Sequence, residues 1–471
     1  MENHSNNKNN AQTLILLLVL ALILTTISFG QIARWELLQQ IAMSDRYSLL
    51  GSLYPDTNLA IPTDYSPYFP GVAFLALMVK NIVPNNLLIY SMHIITVVVV
   101  MSFFMVQKRI TSSVYKDINI NNFYIGIMIF SLVLCKHYLF YALAFKPDTI
   151  AFLLGSLGII IARADDNTRI KYLPYVFGAI ITGCALIFKQ QYIIFPIGMI
   201  FYSLISRNSK FQKFTALSLC FSLLVLFLFY QQEFLFFWNL TNLSDDGFIP
   251  ITQWALVHAQ FVISIVQLII ILYALQIYGY VNIDSITNFI SLKNLLKTPW
   301  PTLVVLSAMT AFASSWKTGG NQGNSELGLI LLFPLFYFLI QKFDKMLLII
   351  ISWVVFLGMA PDLYKSAIKI NNSTQLNKAA TSLILDSNSL VLSGSGVYGA
   401  ARKLNTLNPI HSLWTYWEIT KDDNILSNLL EKKTFDVIVL SNNSQNRQPL
   451  TTSSLYAIYF ENDLGIIAIK N

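Results

Sequence analysis

Charge is scarce in this chain. Only 12% of its 471 residues are Asp, Glu, Lys or Arg, against 55% hydrophobic residues and a mean hydropathy of +0.57. An ordinary soluble domain has about a quarter of its residues charged, so that class is excluded. Cysteine is scarcer still. Cys135, Cys184 and Cys220 stand far apart, in or beside apolar runs, which rules out a disulfide framework or zinc spacing and reads as small buried hydrophobes. The five histidines (His4, His93, His137, His258 and His411) are scattered without a ligand pattern, so no metal is expected. The net charge of +7 comes with no basic tail or stripe, which argues against nucleic acid as a partner.

What the chain does have is apolar runs of a length that fits, at least roughly, a hydrocarbon core about 30 Å thick. They lack the alternation of barrel strands, so they are expected as helices. The spans fall at roughly 12–30, 87–107, 122–136, 148–163, 173–188, 191–206, 214–231, 258–280, 301–315, 327–341 and 345–360. The expectation is an all-α polytopic membrane bundle of about eleven transmembrane helices over residues 1–360. The polar start Met1–Asn10 resembles a signal peptide, but no small-residue cleavage site follows Leu14–Ile27, so the first span is expected to stay uncleaved. An N-terminus in the cytoplasm places Lys108, Arg109, Lys116, Arg163, Arg169, Lys171, Arg207, Lys210 and Lys213 inside and follows the positive-inside bias. Residues 361–471 turn polar, with short apolar runs at Leu390–Leu392, Phe435–Leu440 and Gly465–Ile469 and a helical stretch at Asn424–Lys432. They read as a small α/β domain outside the cytoplasm.

The first outer loop, 31–86, carries Glu36, Asp45, Asp56 and Asp64 among aromatics and prolines. A carboxylate at a membrane edge can serve as general base to an acceptor hydroxyl; it can also be merely solvated or cap a helix. Asp45 and Glu36 stand nearest the first span and are nine residues apart, about half a turn out of phase on one helix. Asp56 lies in a turn-like Leu53-Tyr54-Pro55-Asp56. Gly71–Ile82 is too short to cross and is expected to lie in the interface, its entry set by Pro67 and Pro70.

Further polar groups gather at the outer ends of later spans. In Lys146-Pro147-Asp148-Thr149, either Asp148 or Thr149 caps a helix and Lys146 snorkels, or Lys146 holds a phosphate that Asp148 orients. Phe188-Lys189-Gln190-Gln191 breaks a long apolar stretch; its cation can pair with a lipid phosphate or reach the headgroups. Lys317-Thr-Gly-Gly-Asn321 is either a flexible connection or a loop whose backbone approaches an anion or a sugar. Gly394-Ser-Gly396-Val-Tyr-Gly399 matches a dinucleotide fingerprint on paper, with Glu418 nineteen residues on. Turn chemistry at a strand end is the better reading, because what remains is too short for a doubly wound fold.

The sequence resembles the GT-C glycosyltransferases that use polyprenyl-phosphate sugars, a superfamily that includes protein O-mannosyltransferases and lipid A aminoarabinose transferases. The resemblance lies in the first span followed by an acidic loop, in Tyr65-Ser-Pro-Tyr-Phe-Pro-Gly71, and in Phe145-Lys-Pro-Asp148, Phe188-Lys-Gln-Gln191 and Lys317-Thr-Gly-Gly-Asn321. It covers about residues 12–360. It implies an inverting hexosyl- or pentosyltransferase of the plasma membrane, needing no cofactor. Sugar would pass from a polyprenyl-phosphate donor to a lipid, glycan or protein acceptor on the outer face. It implies Asp45 as the base with Glu36 second, and Lys146, Lys189 and Lys317 as stabilisers of the leaving phosphate. Asp56, Tyr65, Asp148, Gln190 and Asn321 complete the substrate-binding candidates. Several members have Asp-Glu in this loop where this chain has Asp45-Arg46. A transporter or flippase of a lipid-linked saccharide is the alternative; it would call for charges at mid-span and for repeated halves.

Overall fold

The computed structural model describes residues 18–31, 35–51, 70–114, 147–163, 172–207, 209–230, 333–340, 345–404 and most of 406–471, with scattered positions between 118 and 309. Helices form over the apolar runs: α1 (Leu18–Phe29), α2 (Trp35–Leu50), α3 (Gly71–Lys80), α4 (Leu88–Val114), α5 (Pro147–Ala162) and α6 (Leu173–Phe188). Then follow α7 (Ile194–Ser206), α8 (Ser209–Tyr230), α9 (Phe333–Ile340) and α10 (Lys345–Ser382). Among the described residues, Leu88–Ser112 is long and apolar enough to cross a membrane, and the other apolar helices are shorter. The expected span at 258–280 lies outside the described residues, and those at 122–136 and 301–315 lie largely outside them.

Large apolar side chains point outward along most of the bundle, including Leu22 (69% exposed), Val98, Phe177, Leu204, Leu223 and Leu357. So broad an exposed apolar surface suits hydrocarbon and would be a liability in water. Cys220 is exposed on this surface of α8, not buried as its apolar setting implied; burial cannot be read from hydropathy when the solvent itself is apolar.

Helices α5 and α6 pack backbone against backbone. A Cβ on Gly158 would sit 2.2 Å from Thr182 Oγ1, and one on Gly178 would sit 2.5 Å from the Gly158 carbonyl oxygen. Where lipid tails are as apolar as leucine, such small-residue contacts hold helices together. Gly158 faces Gly178 while Asp148 meets Lys189, so the two helices run antiparallel.

The last helix does not stop at residue 360. It continues through Pro361 to Ser382, about 57 Å at 1.5 Å per residue. The extension is helical because Leu376 and Ala380, one turn apart, bury against the sheet that follows. That sheet is mixed, ordered β2-β1-β3-β5-β4, with β1 (Val391–Ser393), β2 (His411–Ser412), β3 (Val437–Ser441), β4 (Tyr456–Glu461) and β5 (Gly465–Lys470). β1 runs parallel to β2 and β3; β5 runs antiparallel to β3 and β4. Its central strands are apolar throughout because both faces are covered: α10 packs on one, and Leu426, Leu429 and Leu430 of α12 (Ile425–Glu431) pack on the other. The short helix α11 (Tyr398–Ala401) follows β1.

Gly158→Val forces α5 and α6 apart. The expected cost is about 1–3 kcal/mol, as for other overpacked interiors, read as a lower melting temperature of the detergent-solubilised protein. Gly358→Ala is the control, because a Cβ there meets nothing within 4 Å.

Candidate functional site

A layer made of α2 and α3 lies against the bundle. Leu37, Leu38, Ile41 and Ala42 of α2 pack with Val72, Ala76 and Val79 of α3, with Leu88, Ile89 and Met92 of α4, and with Ile150 in the first turn of α5. Gly71, at the end of the aromatic-proline motif, starts α3 directly on the end of α6: a Cβ there would stand 2.9 Å from the Phe188 ring. Phe188 and Leu154 belong both to this cluster and to the main core of the bundle. The residue after Phe188 is Lys189.

Here the helix ends arrange the charges. Asp148 stands in the first turn of α5, where a carboxylate meets the positive end of the helix dipole, and Lys189 caps the negative end of α6. Because the helices are antiparallel, the two ends adjoin and Lys189 Nζ donates to Asp148 Oδ1 at 2.5 Å. The side chains are 8% and 13% exposed, so this ion pair is nearly out of water. Lys189 itself is extended (φ −158°, ψ 128°), and a 3-10 turn over Gln190–Ile193 carries the chain into α7. Asp148 Oδ2 and Thr149 Oγ1 are both buried and accept or donate no hydrogen bond among the described residues. One carboxylate oxygen therefore anchors the cation, and the other remains open to a ligand hydroxyl or a water.

Asp45 stands in a different arrangement from the one its sequence suggests. Both of its oxygens are filled: Lys80 Nζ donates to Oδ1 at 3.0 Å and Arg402 Nη2 at 3.1 Å, while Arg402 Nε at 2.5 Å and Tyr398 Oη at 3.2 Å donate to Oδ2. Burial works against the Arg402 guanidinium, but the charge and hydrogen bonds of Asp45 outweigh it and raise its pKa above the ordinary arginine value. The glycine motif makes this clasp possible. Gly394 ends β1 with its N–H on the Val439 carbonyl, a 3-10 turn follows, and Gly399 lets α11 approach α4, where a Cβ would be 3.0 Å from Ile89. The motif thus delivers Tyr398 and Arg402 to α2, and α11 is too short to offer a phosphate its N-terminus.

The other side of α2 is also buried. Gln39 is 2% exposed with neither amide atom hydrogen-bonded among the described residues, and Arg46 is 4% exposed. Positions 36, 39 and 46 lie on one side of this helix, roughly 100° to 180° round from Asp45. Glu36 lies in the first turn of this uninterrupted helix, and its side chain is outside the described residues, as is that of Gln190. Asp56, Tyr65, Lys146, Lys317 and Asn321 also lie outside them. Sequence reasoning thus named Asp45, Asp148 and Lys189 among the described groups but missed Lys80, Tyr398, Arg402 and Gln39. A contact across 357 residues leaves no local signal. Among the described residues, no three His, Cys, Asp or Glu side chains converge on a possible metal position.

The fold is similar to that of a solved membrane-lipid-binding protein, ArnT. Solved structures with this architecture include ArnT from Cupriavidus metallidurans bound to undecaprenyl phosphate, with a TM-score of 0.59 and 9% identity over 97% of each chain. The apo state of the same ArnT gives a TM-score of 0.59 and 10% identity over 98% of each chain. The archaeal oligosaccharyltransferase AglB from Archaeoglobus fulgidus superposes more loosely, with a TM-score of 0.43 and 9% identity over 92% of this chain and 69% of that one. No protein-family model and no curated protein matches the sequence.

Two outcomes are expected. Lys189→Met alone leaves a buried carboxylate without its cation and should cost about 3–5 kcal/mol, whereas Lys189→Met with Asp148→Leu should recover most of that in thermal unfolding. Arg402→Gln should open the clasp and raise amide hydrogen exchange in both α2 and residues 398–404, leaving α5 and α6 protected.

Proposed function

We propose that this protein is an inverting membrane glycosyltransferase, moving a sugar from a polyprenyl-phosphate carrier to a lipid, glycan or protein acceptor on the outer face of the plasma membrane. The observation that carries the reading is the buried Asp148–Lys189 pair with its open carboxylate oxygen, set where the α2–α3 layer meets the bundle. The fold shared with ArnT, whose structure holds undecaprenyl phosphate, supports the choice of donor. The orientation rests on the distribution of Lys and Arg between loops.

In this reaction the acceptor hydroxyl attacks the anomeric carbon from the side opposite the phosphate. The bond from that carbon to the phosphate oxygen breaks, and the carrier leaves as a phosphomonoester with one more negative charge. Lys189, held in place by Asp148, stands where such charge can be met in a site largely closed to water, with Lys146 and Lys317 as further candidates. The hydroxyl proton passes to a carboxylate of the first loop. A base must offer a free lone pair, and the four donors on Asp45 occupy the roughly four that a carboxylate has. The clasp therefore reverses the order of the two acids implied by resemblance. Glu36 becomes the leading base, on the face of α2 that also carries buried Gln39, while Asp45 holds the terminal segment. Asp56, Tyr65, Gln190 and Asn321 remain as substrate-binding candidates.

The test is transfer from radiolabelled polyprenyl-phosphate sugars by the purified protein with membrane extract. Glu36→Gln should lower turnover by at least about 100-fold, the lower end of what general bases contribute, with melting temperature unchanged. Asp45→Asn should lower stability and leave transfer measurable. Full activity of Glu36→Gln together with loss in a stably folded Asp45→Asn would restore Asp45 as the base.

A further inference from the structure

Away from the ion pair, a cleft of about 420 Å³ opens between α4, the extension of α10 and the chain just after α11. Its walls come from distant parts of the chain. Tyr90 lies near the start of α4; Asn377 and Lys378, with Thr374 and Thr381 a turn to either side, form one stripe of α10; Lys403 follows α11. That stripe repeats at three- and four-residue spacing, and the opposite side of the same helix buries Leu376 and Ala380 against the sheet.

The charge in this cleft is of one sign. Neither the Lys378 nor the Lys403 ammonium has an acidic partner among the described residues, whereas Lys80 and Arg402 are both committed to Asp45. Lys403 is half-buried, and burial, followed by the neighbouring Arg402 charge, holds its ammonium below the ordinary lysine value. The Asn377 amide and the Tyr90 hydroxyl add two donors that have no hydrogen bond among the described residues. A partly desolvated cation without a counter-charge is costly, and an anion with several acceptor oxygens relieves that cost while engaging these four donors.

We propose that this cleft binds a phosphate group through Lys378, Lys403, Asn377 and Tyr90, separately from the Asp148–Lys189 pair. Its position sets the level at which the phosphate lies. Tyr90 is two residues inside the helix stretch that can cross a membrane, and a tyrosine there belongs to the headgroup zone. The phosphate is therefore carried by a lipid headgroup or taken free from the aqueous layer beside it; the chemistry of recognition is the same. The site requires no sugar transfer, so it stands or falls independently of the proposed reaction.

The test uses the full-length purified protein in detergent and no sugar donor. One arm measures binding of inorganic phosphate by equilibrium dialysis. The other measures adducts with phosphatidic acid by native mass spectrometry, with diacylglycerol as the phosphate-free control. Binding in either arm, weakened roughly tenfold or more in K378Q/K403Q and retained in K378R/K403R, supports the site and identifies the source. Lys378 is exposed, so K378Q alone keeps the fold and should weaken binding several-fold at low salt, with the difference shrinking as salt rises. No binding in either arm, or equal binding by wild type, K378Q and K378Q/K403Q, overturns the proposal.

Discussion

A carboxylate at the start of one helix and an ammonium at the end of its antiparallel neighbour set the terms for the rest of the molecule. Asp148 and Lys189 are stabilised three times over: by each other, by the dipole ends on which they sit, and by the glycine-to-glycine approach that keeps α5 beside α6. A buried pair of this kind is weak evidence for stability, because two well-packed apolar residues serve as well. It is better evidence for a site, since one oxygen of Asp148 stays open in a nearly dry place.

Around that pair the chain builds a roof. Gly71 starts α3 on Phe188, α3 braces α2, and α2 is held from above by the terminal segment through Asp45. The terminal sheet is therefore more than an appendage at the end of a long helix. Its Tyr398 and Arg402 reach back to the segment after the first span, and Gly399 fits α11 against α4. A change in the seat of this sheet is transmitted to α2, and so to the face on which Glu36 and Gln39 stand.

Much of the helical scaffold was legible in the sequence, because the apolar runs are long and their ends are marked by Pro147, Lys189 and the Arg207 turn. The strands at 391–393, 437–441 and 465–470 were legible for the same reason, being apolar and covered on both faces. Edge strand β4 was not: Tyr456–Glu461 is mostly exposed although Tyr456–Phe460 are all apolar or aromatic, so its residues show none of the alternation that marks a half-buried strand. Nor was the continuation of α10 past Pro361, where the loss of hydropathy marks an exit from the bundle but not an end of the helix. In the site, Asp148 and Lys189 could be named separately from their span ends. Their contact, and the four donors on Asp45, depend on how distant elements pack, which no local pattern encodes.

The most direct test is electron cryomicroscopy of the full-length protein in lipid nanodiscs with undecaprenyl phosphate added. The account predicts phosphate density within hydrogen-bonding distance of Lys189 Nζ, at the junction of α6 with the α2–α3 layer. Phosphate bound elsewhere in the bundle, with the Asp148–Lys189 pair closed and unvisited, would contradict it.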